Sequence, residues 1–156
     1  MPKFPLIWNI TKVCPWNCSF CCLGAYYLPL SKGNPEDALD QLKRERIELS
    51  LEDKLKIIDN LDLIDLEIDV SGGEPLLFKE NVGIIKELAK KFGKENISIT
   101  TTGLGLDLVD LDDLGAFVEE VGFTYDFPYE PNCLRPEGYN ASNLRVMKKV
   151  ISRGIR

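Results

Sequence analysis

Three cysteines stand within eight residues, in Cys14-Pro15-Trp16-Asn17-Cys18-Ser19-Phe20-Cys21. Thiolates are soft ligands that suit zinc and iron–sulfur clusters, and cluster irons are characteristically held by cysteine. A short loop can wrap three sulfurs around one cubane and leave the fourth iron without a protein ligand, open to a substrate or cofactor. Structural zinc is the competing reading. It takes four ligands, commonly as two close pairs separated by roughly a dozen or more residues. Here the second pair is missing, because Cys133 stands alone. Three buried cysteines without a metal are the remaining alternative. Cys22 leaves the set open, since Cys14, Cys18 and Cys22 can be written as readily as Cys14, Cys18 and Cys21. Cys133 reads most simply as a free cysteine.

Composition narrows the chemistry further. The chain has no histidine, which removes His-containing zinc sites, a Ser-His-Asp triad and a Cys-His pair together. A formal net charge of −6 argues against a dominant nucleic-acid surface. No apolar run reaches the length of a membrane span, and the N-terminus lacks a signal-peptide pattern, so a cytoplasmic protein is the default. There the cysteines would be reduced, and clustered thiols point to a metal before they point to disulfides.

The elements that must position these thiols follow from hydrophobic periodicity. Leu6 to Lys12 reads as a strand with Leu6, Trp8 and Ile10 on one face, and it feeds the cysteine segment directly. Asn34 and Pro35 open a short helix to about Ile47, and Ser50 with Asp53 opens another whose apolar stripe is Leu51, Leu55 and Ile58. Leu66, Ile68 and Val70 form a second strand, ending at Ser71-Gly72-Gly73-Glu74-Pro75. Lys79 to Phe92 is a helix burying Val82, Ile85, Leu88 and Phe92, stopped by Gly93. Ile97 to Thr102 is a third strand. Leu111, Leu114, Val118 and Val121 mark the next helix, closed by Gly122; Phe123 to Phe127 is a fourth strand. A last helix, Asn140 to Arg153, carries Leu144, Met147 and Ile151.

Alternating strands and helices predict an α/β fold with a parallel sheet and right-handed crossovers. Each strand has one polar face: Asn9 and Thr11; Glu67 and Asp69; Ser98, Thr100 and Thr102; Thr124 and Asp126. A sheet covered by helices on both sides would show near-continuous apolar strands instead. One-sided polarity fits either a curved sheet with helices outside and a ligand-holding interior, or a face that is merely solvated. About four β/α units are present, and Gly154-Ile155-Arg156 falls where a fifth strand would begin. Four units cannot close a barrel. Residues 1–156 are therefore expected to be one core domain incomplete at its C-terminus: a fragment, a split protein completed by a partner chain, or a reduced member of its class.

The ordered motifs resemble the radical S-adenosylmethionine (radical SAM) superfamily. Cys14-x-x-x-Cys18-x-Phe20-Cys21 follows strand one, Gly72-Gly73-Glu74-Pro75 follows strand two, and Thr100-Thr101-Thr102-Gly103 is similar to a strand-three ending often written T-N-G. The resemblance implies a partial (β/α) barrel with helices outside. It selects Cys14, Cys18 and Cys21 as ligands of a [4Fe–4S] cluster, with Cys22 a small apolar residue of the loop. It further implies that S-adenosylmethionine chelates the open iron and is cleaved reductively to a 5′-deoxyadenosyl radical. Phe20 would then pack near the adenine, and Gly72 and Gly73 would let the backbone approach the ligand. Glu74 or its neighbouring carbonyls would accept from the ammonium group. Thr102 and Asp126 would offer polar contacts from strand ends, and Arg135 could pair with the carboxylate. Glu67 and Asp69 share the inner face, where they are candidates for an acid–base role.

The function so implied is that of a radical SAM oxidoreductase or maturase acting on a small organic molecule, peptide or cofactor precursor. Its electron would come from an external donor of the flavodoxin or ferredoxin type. No membrane attachment and no nucleic-acid module are expected. An iron–sulfur electron-transfer protein that never cleaves S-adenosylmethionine is the alternative.

Overall fold

The alternation of Leu66, Ile68 and Val70 with Glu67 and Asp69 becomes β4 (Leu66–Gly72), whose three apolar side chains are buried. This computed structural model describes residues 3–61, 65–125 and 134–156. Around β4 the chain builds a four-stranded, all-parallel sheet. β1 (Phe4–Thr11) pairs with β4, β4 with β5 (Ile97–Thr101), and β5 with β6 (Glu120–Phe123). Spatial order follows chain order, so successive crossovers of one hand deliver their helices to one face.

The buried positions bear this out. Ile10, Ile68, Val70, Ile97 and Ile99 from the strands form a single core with Ile58 of α2 (Leu51–Asn60) and with Ile84, Ile85 and Leu88 of α3 (Lys79–Phe92). Leu114 of α4 (Leu111–Phe117) and Val146 and Val150 of α5 (Tyr139–Ser152) complete it. On the other face Glu67 and Ile7 are exposed, and Asp69, Ser98 and Thr100 are half-buried. The polar strand face is thus the uncovered one, as a partial barrel requires. Ile155 joins the core, and the Arg156 carbonyl accepts from Val121 N at 2.7 Å, beside β6. Among the described residues no helix is long and apolar enough to cross a membrane.

A smaller cluster lies beneath the cysteine segment. Leu39 and Leu42 of α1 (Glu36–Arg44) pack with Val13, Leu77 and Phe78. Asn34 Oδ1 accepts from Glu36 N, so the expected cap forms. The helix stops at Arg44 rather than near Ile47, because Arg46 turns left-handed (φ 57°) and the Ile47 and Glu48 amides fold back onto the Leu42 carbonyl.

Further sequence expectations need correction. β6 runs over Glu120–Phe123, earlier than the strand expected at Phe123–Phe127, whose residues 126–127 lie outside the described residues; α4 ends at Phe117. Val118 and Val121 leave the helix because the Glu119 amide is taken by the Ile97 carbonyl, which starts the ladder to β5. Gly122 sits within β6 rather than stopping a helix. In α2, Leu51 and Leu55 are exposed, while Lys54 and Ile58 face inward. In α5 the buried positions are Tyr139, Asn143, Val146 and Val150, leaving Leu144 and Ile151 outside. That helix carries two apolar stripes. The bond from Asn143 Nδ2 to the Thr124 carbonyl, at 2.6 Å, lies on the inward one.

Candidate functional site

β1 cannot continue straight into the cysteines. Its register against β4 slips between Asn9 and Thr11, and the chain bends away as β2 (Val13–Cys14). β2 pairs in parallel with β3 (Tyr26–Tyr27), with Tyr26 N donating to the Lys12 carbonyl and Leu28 N to that of Cys14. The loop between them is tightened by Cys21 N on the Cys18 carbonyl and Gly24 N on that of Cys21. Gly73 N and Glu74 N donate to the Thr11 and Val13 carbonyls at 2.8 and 2.9 Å, tying the bend to the end of β4.

This crossing is what requires the two glycines. A Cβ on Gly72 would stand 2.3 Å from the Thr11 carbonyl oxygen, and one on Gly73 2.1 Å from that of Val13. Gly72 also has φ 127°, where an L side chain is strained. Close approach was expected to a bound ligand; the structure shows it to the cysteine strand itself.

The bend opens a cavity of about 330 Å³ at the C-terminal ends of the strands. Cys14, Cys18, Cys21 and Cys22 form one wall, Gly72, Gly73 and Thr100 to Thr102 another, and Thr124, Arg135, Trp16 and Tyr139 a third. Cys14 is buried and Cys18 and Cys21 half-buried, whereas Cys22 is exposed. Burial pushes the Cys14 thiol up to about 12, only partly opposed by the Trp16 amide, so an apolar pocket alone would keep it protonated. Among the described residues no three cysteine or carboxylate groups converge on a single ion position. Thiols spread around one cavity suit a cluster, in which each thiolate binds a different iron.

The third wall is built on Arg135. Its guanidinium carbon lies 4.7 Å from the Phe20 ring centre and 4.5 Å from that of Tyr139, and Nη1 donates to Cys18 Sγ at 3.5 Å. Trp16 meets the Tyr139 ring edge-on at 5.0 Å. A cation held between two rings is oriented in part by their faces. Ser19 Oγ, donating to the Leu134 carbonyl, adds a further tie between this segment and the cysteine loop.

The Glu74 side chain turns into the protein interior. It is fully buried and absent from the cavity wall. The carboxylate accepts from Thr101 Oγ1 at 2.8 Å, from Thr102 N and Oγ1 at 3.0 and 2.5 Å, and from Leu76 N at 3.2 Å. Burial raises its pKa above the ordinary carboxylate value, against the pull of those four bonds. It therefore fastens the end of β4 to the end of β5. Thr102 lines the cavity; Asp126 and Cys133 lie outside the described residues. Glu67 and Asp69 line a separate hollow at the opposite strand ends together with Ser98, whose hydroxyl donates to Asp69; the Thr100 hydroxyl, from the cavity wall, donates to Asp69 as well.

Trp16 and Tyr139 were not singled out from the sequence. Trp16 occupies a variable slot of the cysteine motif, and nothing local marks Tyr139. Thr100 and Thr124 were legible as inner-face positions.

Comparison with known proteins adds an independent line. The chain matches the family model of the radical SAM superfamily over residues 8–156. A GTP 3′,8-cyclase of Thermodesulfovibrio yellowstonii is 36% identical over 93 residues, 59% of this chain and 29% of that protein. A GTP 3′,8-cyclase of Peptoclostridium acidaminophilum is 27% identical over 121 residues, 76% of this chain and 33% of its own length. A third, from Limosilactobacillus fermentum, is 29% identical over 99 residues, 63% and 26% of the two chains. The chain thus spans about a third or less of the curated relatives it matches.

Proposed function

The chain belongs to the radical SAM superfamily, and on that premise we propose that Cys14, Cys18 and Cys21 hold a [4Fe–4S] cluster used to cleave S-adenosylmethionine. The observation that carries this reading is the single cavity walled by those thiols on one side and by the Gly72–Gly73 and Thr100–Thr102 strand ends on the other. Cluster and S-adenosylmethionine would together supply an electron and a sulfonium whose reductive cleavage gives methionine and a 5′-deoxyadenosyl radical for hydrogen abstraction.

The protein's own part is placement and shielding. Gly72 and Gly73 line the cavity with bare backbone, so carbonyls at the end of β4 can accept from an ammonium group. Glu74 holds Thr102 in the wall, with the hydroxyl hydrogen already committed and its oxygen still able to accept. Arg135, in the cavity wall, would pair with a carboxylate there. Phe20 and Tyr139 flank the Arg135 guanidinium, and Trp16 packs edge-on against Tyr139. Asp126 belongs to the same proposal through its position after β6.

The substrate is proposed as a small organic molecule, with peptides and cofactor precursors in the same class. The relatives' names make GTP the first compound to test. An external low-potential donor of the flavodoxin or ferredoxin type would supply the electron, and any partner chain would serve to complete the barrel. A cytoplasmic site accords with reduced cysteines. Anaerobic reconstitution followed by S-adenosylmethionine and dithionite should yield 5′-deoxyadenosine. A cluster whose spectrum ignores S-adenosylmethionine would instead identify an electron-transfer protein.

A further inference from the structure

A buried polar cluster lies outside the cavity. The Lys54 and Glu48 side chains are wholly shielded from solvent and paired with each other. Lys54 Nζ also donates to Asn81 Oδ1 at 2.6 Å and lies 3.7 Å from Glu80 Oε1, while Lys43 holds the outer oxygen of Glu80 at 2.5 Å. Two cations and two anions balance. None of them lines the cysteine cavity, so none can touch a ligand there.

One bond leaves this group toward the cysteines. Thr11 Oγ1 donates to Glu48 Oε2 at 2.5 Å and accepts from Val13 N at 3.0 Å. Thr11 is the residue at which β1 slips register and bends into β2. Its hydroxyl has one hydrogen; committing that hydrogen to Glu48 turns a lone pair toward the Val13 amide. The amide is buried in a bend with no ladder partner, so the hydroxyl replaces the missing strand bond. Cys14 is the next residue.

We infer that Glu48, charge-balanced by Lys54, is a positioning residue: through the Thr11 hydroxyl it fixes the bend that sets Cys14 against the end of β4. A buried carboxylate without a cation would be unstable, which gives Lys54 its place. The inference rests on the reading of Cys14 as a cluster ligand, but the bend itself is testable without a cluster.

The test uses the full chain and the paired variant Glu48→Leu with Lys54→Met, which removes both charges together. Thr11→Val serves as a second variant in case the pair does not fold, and Thr11→Ser as the conservative rescue. In the metal-free chain, Val13 amide exchange should speed at least tenfold in the paired variant and in Thr11→Val, and stay near wild type in Thr11→Ser. After reconstitution, the first two should lose iron to a chelator several-fold faster than wild type at unchanged helicity, and Thr11→Ser should not. Unchanged Val13 exchange together with unchanged iron loss would overturn the inference. A wild-type chain that takes up no cluster would overturn the proposed function instead, leaving the exchange result to decide the bend.

Discussion

Replacing Gly73 with alanine should disturb the site through the backbone alone. The new Cβ would begin 2.1 Å from the Val13 carbonyl oxygen and 2.6 Å from its carbon. Ordinary contact begins near 3.4 Å, so the strands must part by about 1.3 Å. The Glu74 N to Val13 O bond, now 2.9 Å, would then exceed hydrogen-bond range, and Gly73 N to Thr11 O would be strained beside it. Losing one or two buried backbone bonds, each leaving a group unsatisfied, costs about 2–5 kcal/mol. For a domain of this size that lowers the melting temperature by roughly 5–15 °C. Thermal unfolding followed by circular dichroism measures it. The same movement carries Cys14 away from β4, so iron uptake should fall even at temperatures where the variant is folded. A melting temperature unchanged from wild type would show that the cysteine strand is not clamped on Gly73, and the reasoning would fail.

Three further outcomes are expected. Alanine at Gly105 would place a Cβ 2.4 Å from Glu74 Oε1 and 2.7 Å from Leu76 Cβ, driving the carboxylate off its donors at about 1–3 kcal/mol, read from the urea midpoint. Val146→Ala should cost about 1–3 kcal/mol and Leu144→Ala under about 0.5, because Val146 is in the core and Leu144 is exposed; equal losses would refute the helix phase. The Arg145 guanidinium, with Lys149, holds the Asp107 carboxyl at about 2, below its ordinary 3.8. A depressed pKa contributes stability above the unfolded value and loses it as pH falls toward the folded one. Asp107→Asn should therefore be less stable than wild type at neutral pH, with the gap narrowing between about pH 5 and 2 in acid titrations.

The sequence showed most where local pattern and tertiary need agree. β4 and α3 lie where period-two and helical spacing place them, and the Ser50 cap bonds Asp53 N as its motif implies. Local pattern misled where a distant partner decides. Lys54 faces inward only because Glu48 and Asn81 meet it there, so a stripe drawn through leucines chose the wrong side of α2. Val118 and Val121 fit a helical period, yet the free edge of β5 takes the chain first. In the site, the three cysteines and two glycines were legible as types at fixed spacing. The crossing that explains the glycines was not, because it depends on β1 bending over β4. Glu74 was legible as a motif residue, but the direction of its side chain depends on Thr101, Thr102 and Gly105, each more than twenty-five residues away.

The central claim is that Cys14, Cys18 and Cys21, and not Cys22, surround one cluster. Iron, sulfide and zinc analysis of the reconstituted chain and its four single cysteine-to-alanine variants, with electron paramagnetic resonance of the reduced samples, tests it most directly. The account predicts about four irons and four sulfides per chain in wild type and Cys22→Ala, in keeping with a [4Fe–4S] cluster. It predicts a marked loss in each of the other three, and a wild-type signal that changes on adding S-adenosylmethionine. Zinc without sulfide, or a cluster that survives loss of Cys21 but not of Cys22, would contradict it.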